Sequence, residues 1–184
     1  MQPNQRRLLS ALILIIGLVW IQLSADRTAS ASAALIPGPL KGSQAPDFSL
    51  ATPTGEKFSV RQLRGSAVLI NIWATWCPPC RAEMPTIQKL YEEYQSRGLV
   101  VLGVNSTVQD YPLDIVPFVT QYGLTFPILL DETGDLGPKY DLTSLPTSYF
   151  IDRAGKVAER YIGGPMSEAL LRTYIEEILK SVQN

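Results

Sequence analysis

The sequence contains no histidine. Without imidazole there is no histidine base, no side chain with an ordinary pKa near neutrality, and none of the commonest transition-metal ligands. Only two cysteines are present, too few for a structural zinc site unless carboxylates join them, an uncommon combination. A basic excess is missing as well. With 16 Lys and Arg against 17 Asp and Glu, the formal net charge is −1, which argues against a nucleic-acid partner. No internal repeat is visible. Hydrophobic residues at 46% and charged residues at 18% exclude a disordered chain. What chemistry remains falls on Cys77 and Cys80.

Charge is unevenly spread. Residues 1–40 carry a net +2 and the remainder a net −3. Between Arg7 and Asp26 there is no charge, and Leu8–Leu23 is almost continuously apolar. As a helix, Leu8 to Ala25 would span roughly 27 Å, just under a hydrocarbon core of ~30 Å. The run is long for a signal peptide, and Trp20 suits a membrane interface, so an uncleaved signal-anchor over residues 1–25 is the favoured reading. The alternative is a cleaved signal peptide ending at Ala29-Ser30-Ala31 or Ala31-Ser32-Ala33. Either way Arg6 and Arg7 stay cytoplasmic and the rest is exported; the same pair is a weak hint of twin-arginine export. Residues 26–40, small and closed by Pro-Gly-Pro, read as a flexible linker. Residues 41–184 suffice for one domain.

Within that domain, strands and helices alternate. Phe48–Leu50 and Lys57–Val60 flank a Thr54-Gly55 turn and suggest a hairpin. Ala67–Trp73 reads as a buried strand, and Cys77 to about Ser96 as a helix whose Cys80, Met84, Ile87 and Tyr91 share a face before Gly98 ends it. Strands are expected at Leu99–Val104, Thr125–Leu130, Ser148–Asp152 and Lys156–Ile162, with a helix at 113–122. Ser167 caps a last helix. This order predicts an α/β domain with a central mixed sheet flanked by helices.

The informative stretch is Trp73-Ala74-Thr75-Trp76-Cys77-Pro78-Pro79-Cys80-Arg81. A cysteine at a helix start meets unpaired N–H groups and the positive end of the helix dipole, both of which stabilise a thiolate. Lowering a thiol from its ordinary value to about 6.5 would raise the thiolate fraction at pH 7 from about 3% to about 75%. Cys80 lies on the same side of the helix, within disulfide reach, and lines up with Met84 and Ile87, so it is expected to be the more buried sulfur. Pro78 and Pro79 suit a first helical turn, where an N–H is not needed. A purely structural disulfide is disfavoured because so short a loop restricts little chain entropy.

The segment Val68–Pro85 resembles the active-site segment of the membrane-anchored TlpA/ResA-like branch of the thioredoxin superfamily, related to the redoxin and AhpC/TSA proteins. Ala45-Pro46-Asp47-Phe48 resembles the family's opening strand, and Tyr122–Pro127 its inserted helix–strand segment. Leu145–Asp152 resembles the loop that carries its cis-proline, about 65 residues beyond the cysteines. The resemblance implies a thioredoxin fold with an N-terminal hairpin, and an exported thiol-disulfide oxidoreductase with no cofactor and no metal. It makes Cys77 the attacking thiol, Cys80 the resolving thiol and Pro146 the cis residue. Trp76, Pro78, Pro79, Leu145 and Pro146 would contact substrate, Leu145 through its backbone in an edge-strand manner. The expected partners are extracytoplasmic proteins with cysteine pairs, such as apocytochrome c, and a membrane thiol-reductant donor. The expected location is the outer face of a bacterial cell membrane.

Two departures stand out. Where thioredoxins bury an aspartate in the active-site strand, this chain has Asn71; where some relatives bury a glutamate after the next strand, it reads Asn105-Ser106-Thr107-Val108. Arg81 and Glu83 read as a solvated helix face, Trp73 as core, so no proton acceptor for Cys80 emerges. Two alternatives carry less support. A peroxiredoxin-type peroxidase would need Thr or Ser at Ala74 and Pro at Ile70, and a tethered binding or copper-delivery module would use histidine.

Overall fold

The computed structural model describes Trp20 and residues 39–181. The expected signal-anchor and linker therefore lie almost wholly outside the described residues. The chain divides into two units, residues 1–35 and 36–184, and the sheet and helices belong to the second. Among the described residues no helix is long and apolar enough to cross a membrane.

Seven strands form one sheet in the order β2-β1-β5-β4-β3-β6-β7. They are β1 (Ser49–Ala51), β2 (Lys57–Ser59), β3 (Ala67–Trp73), β4 (Leu99–Asn105), β5 (Ile128–Leu130), β6 (Thr147–Ile151) and β7 (Val157–Ile162). The helices are α1 (Pro78–Tyr94), α2 (Pro112–Gln121), α3 (Leu136–Lys139) and α4 (Glu168–Lys180). β3, β4 and β5 run parallel, while β6 and β7 are antiparallel on one side and β1 and β2 on the other. The mixed sheet, the N-terminal hairpin and the inserted α2–β5 segment are as expected. The short α3 escaped the sequence reading because four residues show no helical period.

β3 is central, and every residue in it is buried. Because a strand alternates its side chains, Ala67, Leu69, Asn71 and Trp73 face one layer and Val68, Ile70 and Ile72 the other. The first layer receives Cys80, Met84, Ile87, Leu90 and Tyr94 of α1 and Leu171, Ile175 and Ile178 of α4. The second packs on Phe48, Leu136, Tyr140 and Tyr149. Gly103 of β4 pairs with Asn71 and Ile128; a Cβ there would come within 2.8 Å of Phe126 and 2.9 Å of Ile128, so any larger residue would force the side chains of the inserted segment to shift. Ser167 caps α4 by accepting the Leu170 N–H at 3.3 Å, as its sequence position implied.

Candidate active site

β3 ends at Trp73 and the chain turns through Ala74–Cys77 into α1. Cys77 is the N-cap: its backbone is extended, Pro78 and Pro79 follow at the first helical positions, and its sulfur accepts the Cys80 N–H at 3.3 Å. A thiolate on Cys77 would meet that N–H and the positive end of a seventeen-residue helix. Cys77 and Cys80 are joined in a disulfide, their Cα atoms 5.3 Å apart. Both are buried in this state, 2% and 0% exposed, so the expected difference in burial is slight. What separates them is position: Cys77 caps the helix and Cys80 lies inside it.

The other expected site residues divide. Trp76 is 51% exposed, and its indole N–H donates to the Gln109 carbonyl at 2.7 Å. Pro78 is exposed and Pro79 half-buried. Leu145 is half-buried and Pro146 buried, and the bond between them is cis. Trp76, Gln109, Leu142, Thr143, Ser144 and Leu145 line a groove of about 210 Å³ between the tryptophan and the cis-proline loop. Trp73 is core, stacked on Phe118 at 4.7 Å. Arg81 is exposed as expected, although its guanidinium lies over Phe118 and Tyr122 and reaches the Thr75 carbonyl at 3.2 Å.

Glu83 corrects the sequence reading. It does not face solvent: it is 1% exposed, on the buried face of α1. Oε1 accepts from Asn71 Nδ2 at 2.8 Å, and Oε2 from the Met166 N–H at 3.3 Å. Asn71 Nδ2 also donates to Ser148 Oγ at 2.9 Å, tying the carboxylate to the strand that follows Pro146. A Cβ on Gly164 would come within 2.7 Å of Pro146 Cγ and 2.9 Å of Glu83 Oε2, so this bare glycine closes over both groups at once. Burial pushes the Glu83 carboxyl up to about 7, against the lowering effect of its two hydrogen bonds. A buried, titratable carboxyl therefore stands one turn from Cys80 and beside the cis-proline. Its signal was present in the sequence: Glu83, Ile87, Leu90 and Tyr94 recur at helical spacing, a carboxylate at the head of an apolar stripe.

Residues 41–160 match the AhpC/TSA family model. The chain is 44% identical over 124 residues to the thioredoxin-like protein YneN of Bacillus subtilis, covering 67% of this chain and 72% of that one. It is 39% identical to the thiol-disulfide oxidoreductase ResA of Geobacillus thermodenitrificans, over 74% of this chain and 77% of the relative. The chain is a thiol-disulfide oxidoreductase of the thioredoxin superfamily, within the AhpC/TSA family. Among solved structures, a thiol:disulfide interchange protein of the thioredoxin family from Chlorobium tepidum superposes with a TM-score of 0.67 at 30% identity, covering 74% of this chain and 95% of that one. StoA from Bacillus subtilis superposes with a TM-score of 0.61 at 31% identity, over 70% and 96%. In this oxidoreductase the carboxyl group near the cysteine pair comes from α1, and Asn71 of β3 supplies one of its two hydrogen bonds.

Proposed function

We propose that the protein is a membrane-tethered, extracytoplasmic reductase of protein disulfides, with Cys77 as nucleophile and Cys80 as resolving thiol. The observation that carries the role assignment is the N-cap position of Cys77 against the interior position of Cys80. In the reducing direction, the Cys77 thiolate attacks a substrate disulfide, one substrate sulfur leaves as thiolate, and a mixed disulfide forms. Cys80 then gives its proton to Glu83 and attacks Cys77 Sγ. The second substrate thiolate leaves, and the enzyme ends as the disulfide with Glu83 protonated. A carboxyl held near 7 in the disulfide form suits that role, since it holds or releases a proton at neutral pH.

Substrate is read as an extended segment lying along Leu145 in the groove beside Trp76. Cysteine pairs of extracytoplasmic proteins are its targets, those of apocytochrome c before haem attachment among them. A membrane thiol-reductant donor returns the disulfide to the dithiol. Tethering through residues 1–25 rests on the apolar, charge-free run from Leu8 to Ala25. Trapping tests the roles: Cys80→Ser is expected to accumulate mixed disulfides with substrate and Cys77→Ser to form none. The reverse pattern exchanges the two roles.

A further inference from the structure

Between Trp73 and Cys77 the chain carries an exposed indole on a short loop, and something must hold it. The two ends of the Thr75 peptide are pinned from outside. Its N–H donates to Asp110 Oδ2 at 2.6 Å and its hydroxyl to Asp110 Oδ1, while its carbonyl accepts from Arg81. Asp110 takes two more donors: Asn105 Nδ2 at 2.7 Å, from the end of β4, and the Tyr111 N–H at 2.8 Å, at the start of α2. Asn105 is itself fully buried and sits opposite Trp73 in the register of β3 and β4. One carboxylate thus joins the loop between β3 and α1, the end of β4 and the N-cap of α2.

Four converging donors explain why this group is an aspartate. Only a carboxylate offers two oxygens with enough lone pairs; an asparagine would turn an NH₂ toward at least one donor. Held this way, and with its N–H on Gln109, Trp76 stands between two grooves. One runs to the cis-proline loop. The other, about 350 Å³, is lined on its far side by Tyr111, Asp114 and Pro117. Exposed, rigid aromatics are what polypeptide recognition uses, because they bury large area at little cost in side-chain entropy.

We propose that Asp110 is a positioning residue for polypeptide substrates: by clamping Thr75 it holds Trp76, the residue next to Cys77, as the wall shared by the two grooves. This rests on the reading that Cys77 attacks disulfides of polypeptides. Asp110 acts on recognition and not on the sulfur chemistry, so a small disulfide that needs no groove is indifferent to it.

The test uses full-length protein and two disulfides. Insulin, reduced with dithiothreitol as recycler, reports the polypeptide reaction; 5,5′-dithiobis(2-nitrobenzoate) reports the intrinsic reactivity of Cys77. For Asp110→Ala the KM for insulin is expected to rise about tenfold with kcat and the small-disulfide rate within about twofold of wild type. Thr75→Val, which is nearly isosteric and removes only the hydroxyl bond, shows the same signature at about threefold and decides the matter if the alanine variant does not fold. An unchanged insulin KM in Thr75→Val and in a folded Asp110→Ala overturns the proposal, as does equal slowing of both substrates. If wild-type protein reacts with the small disulfide but not with insulin, the polypeptide reading fails and the proposal falls with it.

Discussion

At the scale of single residues, the decisive side chain is Glu83. A carboxyl placed among Cys80, Met84 and Ile87 loses its water, and two hydrogen bonds recover only part of that loss. The consequence for stability has a definite sign. The folded disulfide form holds the Glu83 proton up to about 7, whereas an unfolded chain releases it near the ordinary glutamate value. Between those limits the folded state binds more protons, so this contribution is complete at low pH and is lost as pH rises through 7. The shift corresponds to roughly 3 kcal/mol. Denaturant titrations of the oxidised protein are therefore expected to show stability falling between pH 5 and pH 8, a slope that Glu83→Gln removes. The same variant is expected to slow resolution of the mixed disulfide by about 100-fold at neutral pH, measured in a single-turnover assay. A Glu83→Gln protein with wild-type pH dependence in both measurements would remove Glu83 from the reaction.

At the scale of elements, the end of α4 and the turn that follows α1 are held by a residue from a distant hairpin. Arg153 sits in the β6–β7 hairpin, where the sequence suggested nothing beyond a turn. Its guanidinium donates to the carbonyls of Leu179 at 3.3 Å, Gly65 at 3.2 Å and Arg97 at 3.2 Å. A cation at the C-terminus of α4 also meets the negative end of that helix. Arg153→Ala is expected to cost about 2 kcal/mol and lower Tm by about 6 °C, with the Cys77–Cys80 potential unchanged, as calorimetry and thiol-buffer equilibration would show. The elements themselves were largely legible. β3 matches the strand read from its apolar run, and α1 stops before Gly98, whose left-handed φ of 92° an ordinary residue would resist. β5 is shorter than the apolar run from Thr125, because Phe126 turns into the core beside Gly103 before pairing begins at Ile128.

At the scale of the whole molecule, the question is the direction of electron flow. A protein that reduces substrates and is recharged through a membrane needs a stable disulfide form. Full-length protein equilibrated with defined thiol buffers is expected to give a potential near the thioredoxin end, about −270 mV. A value near −120 mV would mean a stabilised dithiol and a disulfide donor instead; the gap of about 150 mV is about 7 kcal/mol for two electrons.

The sequence by itself determined the reaction class and the fold. Both were legible in local patterns, a cysteine pair at a helix start and alternating apolar strands and helices, taken together with the resemblance of Val68–Pro85 and the proline loop to a known family. Asn71 shows where that ends. Read alone, it is a missing aspartate; in the fold it is the donor to a carboxylate on another element. Asp110 is the same lesson, an unremarked acid that gathers donors from three segments. The buried state of Glu83 and the clamp on Thr75 were decided only by tertiary structure. Hydrogen bonding and desolvation depend on which groups converge in space, and spacing along one chain does not encode that convergence.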